Sequence, residues 1–179
     1  MVEIPDSHPR KKSLLSRQKI VEGSLEGLLA DSAMIAHGRG EAFDYLLGER
    51  TTESARLAIR EAASRLSSAN SPVISVNGNT VLLAGEGALR LAALLGCPIE
   101  VNLYYRTSER VSGLLSLLEE QRATVLEEPV PSGFEGDWRD SVTNVPLLGS
   151  SADFRIEGLE GPRSYCTEEG IGRADSILV

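Results

Sequence analysis

Residues His37-Gly38-Arg39-Gly40-Glu41 place one arginine between two glycines. Glycine reaches φ > 0 without steric cost. Such a turn can aim successive backbone N–H groups at one anion, with the Arg39 guanidinium as a planar, doubly donating partner. The residues that follow, Ala42, Phe43, Tyr45, Leu46 and Leu47, predict a helix whose N-terminus would add its own pull on anions. The pattern reads as an anion-holding turn built on Gly38, Arg39 and Gly40. A tight helix–helix turn with a surface arginine fits the same letters. A second basic cluster precedes it: Arg10, Lys11, Lys12, Arg17 and Lys19. Arg10, Ser13 and Arg17 share one helical face at i, i+3 and i+7. A solvated helix surface is the plain alternative.

Other familiar chemistry is missing from the chain. No Gly-x-x-x-x-Gly-Lys-Ser/Thr run is present, and no serine sits in a Gly-x-Ser-x-Gly elbow. Gly85-Glu86-Gly87 meets Arg90 where a dinucleotide fingerprint needs Gly or Ala. His8 and His37 lack the Cys or carboxylate spacing of a metal site, so no metal ligand is assigned and capping or turn roles are expected. No catalytic nucleophile is assigned. The net charge of −8 opposes a general nucleic-acid binder. Cys97 and Cys166 are far apart and no signal peptide is visible, which reads as a reduced, cytoplasmic setting. No apolar run reaches the length of a membrane span.

The elements that must position these residues follow from periodicity. Residues 1–70 read as a helical segment. Ser7 can cap a first helix that starts near Pro9 and runs to about Glu26. Thr52 can cap a helix whose Ala55, Ala58, Ile59, Ala62, Ala63 and Leu66 form an amphipathic stripe. Residues 71–126 read as a βαβ core. It has strands at 73–76, 99–104 and 123–126, and helices at 87–95 and 108–121. Residues 127–150, rich in Pro and Gly, read as an insertion or long loop. Residues 174–179 read as a last buried strand, on which the chain stops. The alternation predicts a single α/β domain, a Rossmann-like parallel sheet sandwiched by helices, with an N-terminal helical segment. In such sheets ligands bind beyond the strands' carboxyl ends, where Asn77, Asn79 and Arg106 fall.

Four ordered blocks carry a resemblance. They are residues 4–17 with Pro5, His8, Pro9 and Arg17; residues 36–46 around Arg39; Pro72-Val73-Ile74-Ser75-Val76-Asn77-Gly78-Asn79; and Asn102 through Arg110. Together they resemble the archaeal 4-phosphopantoate–β-alanine ligases, or phosphopantothenate synthetases. Residues 155–159 and 170–175 form a weaker fifth block. The resemblance implies an ATP-dependent ligase that acts with Mg²⁺. The carboxylate of 4-phosphopantoate would attack the α-phosphate of ATP, and β-alanine would then displace AMP to give 4′-phosphopantothenate for coenzyme A synthesis. It also implies a homodimer, ATP phosphates held by Arg17, Arg39, Gly38 and Gly40, and phosphopantoate near Asn77, Asn79 and Arg106. Tyr105 and Arg110 are further candidates, with a packing tyrosine and a helix-surface arginine as alternatives. Relatives continue past the strand at 177–179, which leaves room for a non-catalytic remnant that still binds nucleotide or phospho-ligand. It also implies an open sheet edge, self-association or poor solubility, and weak adenylating activity. Another α/β enzyme acting on phosphorylated small molecules would use the same anion turn.

Overall fold

The computed structural model describes residues 4–179. Three helices come first: α1 (Lys11–Leu25), α2 (Ala33–Leu47) and α3 (Glu53–Ser68). Then follow β1 (Pro72–Val76), α4 (Gly78–Leu95), β2 (Ile99–Val101), α5 (Ser108–Leu126), α6 (Trp138–Thr143) and β3 (Leu147–Leu148). β4 (Phe154–Arg155) and β5 (Tyr165–Cys166) form an antiparallel pair, and β6 (Ser176–Leu178) closes the described order. The main sheet is parallel, in the order β3-β2-β1-β6. The chain adds β2 and β3 on one side of β1 and β6 on the other, the kind of switch in strand order beside which open α/β sheets hold ligands.

Alternation along β1 decides what covers each face. Ile74 and Val76 pack with Val81, Leu89 and Leu114 in the main core, under α4 and α5. Val73 points the other way and packs with Cys166 and Ile171. The segment from β4 to Ile171 thus lies on the second face. In β2, Ile99 and Val101 join the main core, while Glu100 faces the second side and is 1% exposed.

Several sequence expectations change. Residues 123–126 are the end of α5, not a strand. Val111, Leu114, Leu118 and Val125 are buried at helical spacing, and that face overrides the β-branched letters. Residues 127–150 are not structureless, because they hold α6 and β3. Six residues are too few for a visible period, yet Trp138 and Val142 are buried. The helix expected at 87–95 begins at Gly78, since Asn77 caps it. Ser7 does not cap α1, which starts behind Arg10 with no side-chain cap. His8 has a turn role, with its Nδ1 accepting from Arg10 N at 3.1 Å. Thr52 does cap α3, accepting from Ala55 N at 3.3 Å. The α3 stripe is not buried as expected: only Leu66 is, and Ile59 stays 60% exposed. The last strand is half-buried rather than buried, with Ile177 exposed at the sheet edge.

Cys97, between α4 and β2, is buried, and burial pushes its thiol up to about 11. Cys166 is also raised, by burial first and then by the Glu100 and Asp153 charges. At pH 8 a thiol that titrates near 11 holds about 100-fold less thiolate than an ordinary cysteine titrating near 9. Alkylation of Cys97 should therefore be slow in the folded protein and fast in denaturant. Equal rates in the two states would show that the thiol is reachable.

Candidate functional site at the carboxyl ends of β1 and β2

β1 ends at Val76, and Asn77 turns the chain straight into α4. Its Oδ1 accepts from Thr80 N at 3.1 Å, so the side chain is a helix cap. One turn on, Asn79 Nδ2 donates to the Ala33 carbonyl at 3.0 Å, which ties the start of α4 to the start of α2. Gly78 beside it packs closely on Leu29, whose Cδ2 a Cβ there would meet at 2.4 Å. A cleft of about 180 Å³ opens at this junction. Leu28, Leu29, Ala33 and Leu103 make its apolar wall, while Gly78, Asn79 and Arg110 supply the polar end. Arg110 Nη1 donates to the Tyr105 carbonyl at 3.1 Å. The start of α5 is itself attractive to anions: the backbone N–H of Glu109 holds that carboxyl below its ordinary value, helped by Thr107 and Ser108.

A second, larger groove of about 830 Å³ starts at the same Asn79 and runs between α1, α2 and α3. His37, Gly40 and Glu41 line it from α2, and Arg10 and Ser13 from α1. Glu41 accepts from Arg10 Nη2 at 3.4 Å and lies 4.0 Å from Arg17 Nη1. One carboxylate therefore gathers two arginines of the basic cluster, Arg10 within the groove lining and Arg17 outside it.

The anion-turn reading of Gly38, Arg39 and Gly40 is corrected: all three lie inside α2. Neither glycine has positive φ, and a Cβ on either would meet nothing within 4 Å. Flanking Ala, Met, Leu and Glu residues are strong helix formers, and they override two glycines that cost about 1 kcal/mol each against Ala. The left-handed residue that glycine supplies is Gly48, at φ 76°, which ends the helix. His37 is consequently a mid-helix side chain with a buried Nε2, not a turn residue. Arg39 is exposed and lines neither the cleft nor the groove.

The structure brings Asn77 and Asn79 to the cleft, together with Tyr105 and Arg110. Arg106 goes elsewhere. Its guanidinium donates to the carbonyls of Gly149, Ser150 and Ser151, which pins the loop after β3. Sequence reasoning missed the partners of this clasp. Asn102 is buried and donates to the Arg163 and Tyr165 carbonyls at 3.3 and 3.4 Å, and it accepts from Arg163 Nε at 3.2 Å. Glu100 accepts from Thr167 N and Ile171 N, both at 2.8 Å. A charged residue between two apolar strand residues reads as solvent-facing, and only the covering segment turns it inward. Among the described residues, no group of three or more His, Cys, Asp or Glu could hold a metal, and no helix is long and apolar enough to cross a membrane.

Comparison with known proteins finds a family profile and several similar ligases. The phosphopantothenate/pantothenate synthetase family profile matches residues 54–132, from α3 through α5. A 4-phosphopantoate–β-alanine ligase of Thermococcus onnurineus is 44% identical over all 179 residues. The chain is a relative of the 4-phosphopantoate–β-alanine ligases. A second such ligase, of Methanospirillum hungatei, is 51% identical over 176 residues, 98% of the chain. A third, of Methanosarcina mazei, is 40% identical over the whole chain. The chain spans 61%, 63% and 62% of the lengths of these three ligases. The similarity to them includes the α1–α2 pair outside the family profile, so the groove beside Glu41 lies within the ligase-like region.

Proposed function

We propose that this chain provides the acid-binding and nucleotide-binding framework of an ATP-dependent ligase that joins 4-phosphopantoate to β-alanine. The observation that carries the reading is identity of 44% along the full chain to a protein named for that reaction. The chemistry of the clefts supports it. An acid with a branched apolar centre and a terminal phosphate suits a small cleft with leucine walls, a helix N-terminus and Arg110 at one end. Arg10 in the adjoining groove, with Arg17 on the same Glu41 carboxylate, offers charge for ATP phosphates, and Arg39 is a further phosphate ligand in this reading. Asn77 and Asn79 act by holding α4 and α2 in place, and Arg106 by pinning the loop after β3. Reaction proceeds by attack of the acid carboxylate on the α-phosphorus, with pyrophosphate leaving. The β-alanine amine then attacks the acyl carbon and AMP leaves. Arginine groups stabilise charge on phosphoryl oxygens, so no protein nucleophile is required. The described residues form no metal cage, so Mg²⁺ in this reading enters on the ATP phosphates, and no step is assigned to it.

Incubation with ATP, Mg²⁺, β-alanine and 4-phosphopantoate should release AMP, while pantoate in place of the phosphorylated acid should release little. AMP release with both acids alike would remove the phosphate from recognition. ATP binding by calorimetry without AMP release would favour the second reading, ligand binding without turnover.

A further inference from the structure

Arg155 and Tyr165 are direct cross-strand partners in the β4–β5 pair, as Phe154 and Cys166 are. Alternation along each strand sends the two pairs to opposite faces. Phe154 and Cys166 pack with Val73 and Ile171. Arg155 and Tyr165 therefore face away from that core, with the guanidinium carbon 5.7 Å from the tyrosine ring centre. A cavity of about 560 Å³ opens on their side, and Arg106 reaches it from the carboxyl end of β2. Ser164 also lines it, but its Oγ is already occupied, donating to the Gly161 carbonyl at 2.6 Å. Arg106 makes its three bonds to the 149–151 carbonyls through Nη2 alone. Among the described residues its Nη1 and Nε have no protein partner, and Arg155 makes no hydrogen bond or ion pair. No acidic side chain of the described residues lines the cavity.

Two guanidinium groups without a counter-charge, in a chain of net charge −8, mark a place for an anion. We propose that this cavity is the amino-acid site, with Arg106 and Arg155 gripping the carboxylate of β-alanine. The inference rests on the ligase reading above. That reading gives the phosphorylated acid and ATP to the cleft and groove around Asn79, and it leaves the amino acid without a site. Tyr105 lines the acid cleft and Arg106 lines the cavity. Neighbouring residues at the end of β2 thus border both, as two substrates that must react with each other require. The lining also suits the amine. A carboxylate in the cavity would hold the ammonium form, which has no lone pair to attack with. Two arginines favour the carboxylate and, by repulsion, the neutral amine. That nitrogen bonds to the acyl carbon as the bond from this carbon to AMP breaks, and its surplus proton passes to solvent. The Tyr165 ring offers an apolar side to the two methylenes between amine and carboxylate.

Ligand-observed NMR on the wild-type chain should show binding of β-alanine and of propionate, each displacing the other. 3-Aminopropanamide, which lacks the carboxylate, should not bind. Arg155→Ala should weaken β-alanine binding about tenfold or more at an unchanged melting temperature. Arg155→Lys should fall between, because it keeps the charge without the two-pronged geometry. Equal β-alanine affinity in wild type and Arg155→Ala would overturn the proposal, as would equal binding of the amide and the acid. No β-alanine binding, even with 4-phosphopantoate and a non-hydrolysable ATP analogue present, would overturn it whatever the AMP release. In the AMP-release assay Arg155→Ala should raise the β-alanine KM about tenfold while the 4-phosphopantoate KM stays as it is. A rise for 4-phosphopantoate instead would give the cavity to the phosphorylated acid and overturn the proposal. Arg155-dependent β-alanine binding by a chain that releases no AMP would uphold the site and overturn the ligase turnover.

Discussion

Replacing Glu100 with leucine should lower the melting temperature by roughly 10 °C, as follows from a loss of about 3–5 kcal/mol in a chain of this size. Both carboxylate oxygens accept backbone N–H groups at 2.8 Å, from Thr167 and Ile171. The residue is 1% exposed, so water cannot replace it. Leucine fills similar space but leaves two buried donors without partners, and each orphan costs about 1–3 kcal/mol. Glu100→Gln keeps one accepting oxygen and should fall between wild type and leucine. Calorimetric melting of the three proteins measures the series. A leucine variant that melts within about 2 °C of wild type would show that the 167–171 segment holds its place without Glu100. The same substitution should loosen the covering of Val73, because Ile171 packs directly on it.

Gly149→Ala should cost roughly 3 kcal/mol, a backbone effect concentrated at one residue. Gly149 sits at φ +120°, where L side chains are rare, and an added Cβ would lie 2.6 Å from the Val101 carbonyl oxygen and 3.1 Å from its nitrogen. Those neighbours are strand backbone and cannot rotate aside. The Gly149 carbonyl also receives Arg106, so the substitution disturbs the clasp that holds this loop against β2. Gly38→Ala is the matched control, since Gly38 is helical with open space around its missing Cβ. It should be neutral or stabilising by up to about 1 kcal/mol. Denaturant midpoints compare the pair. Equal stability of the two variants would mean that the 149 loop can move away from Val101 at no cost.

The sequence by itself determined the parallel α/β plan and the polar strand ends. Val73 to Val76 reads as a short buried strand because its letters are mostly apolar, and the stretch from Ile99 reads as a strand from its β-branched letters. Thr52 announced its cap, because a hydroxyl before an apolar-periodic run satisfies free N–H groups locally. The four blocks of ligase-like residues were also legible, and similarity to a named ligase along the whole of this chain agrees with them. Tertiary structure decided the rest. Gly38 and Gly40 look like turn residues, yet α2 is helical because its other residues favour helix and Asn79 anchors its first residue from 46 positions away. Arg106 and Arg110, four residues apart, separate into a loop pin and a cleft wall because only one of them lies within reach of the carbonyls at 149–151. Glu100 is buried because a segment about 70 residues downstream supplies the N–H groups it needs. Local letters carry propensities and faces; which face meets a partner depends on chain brought in from far away.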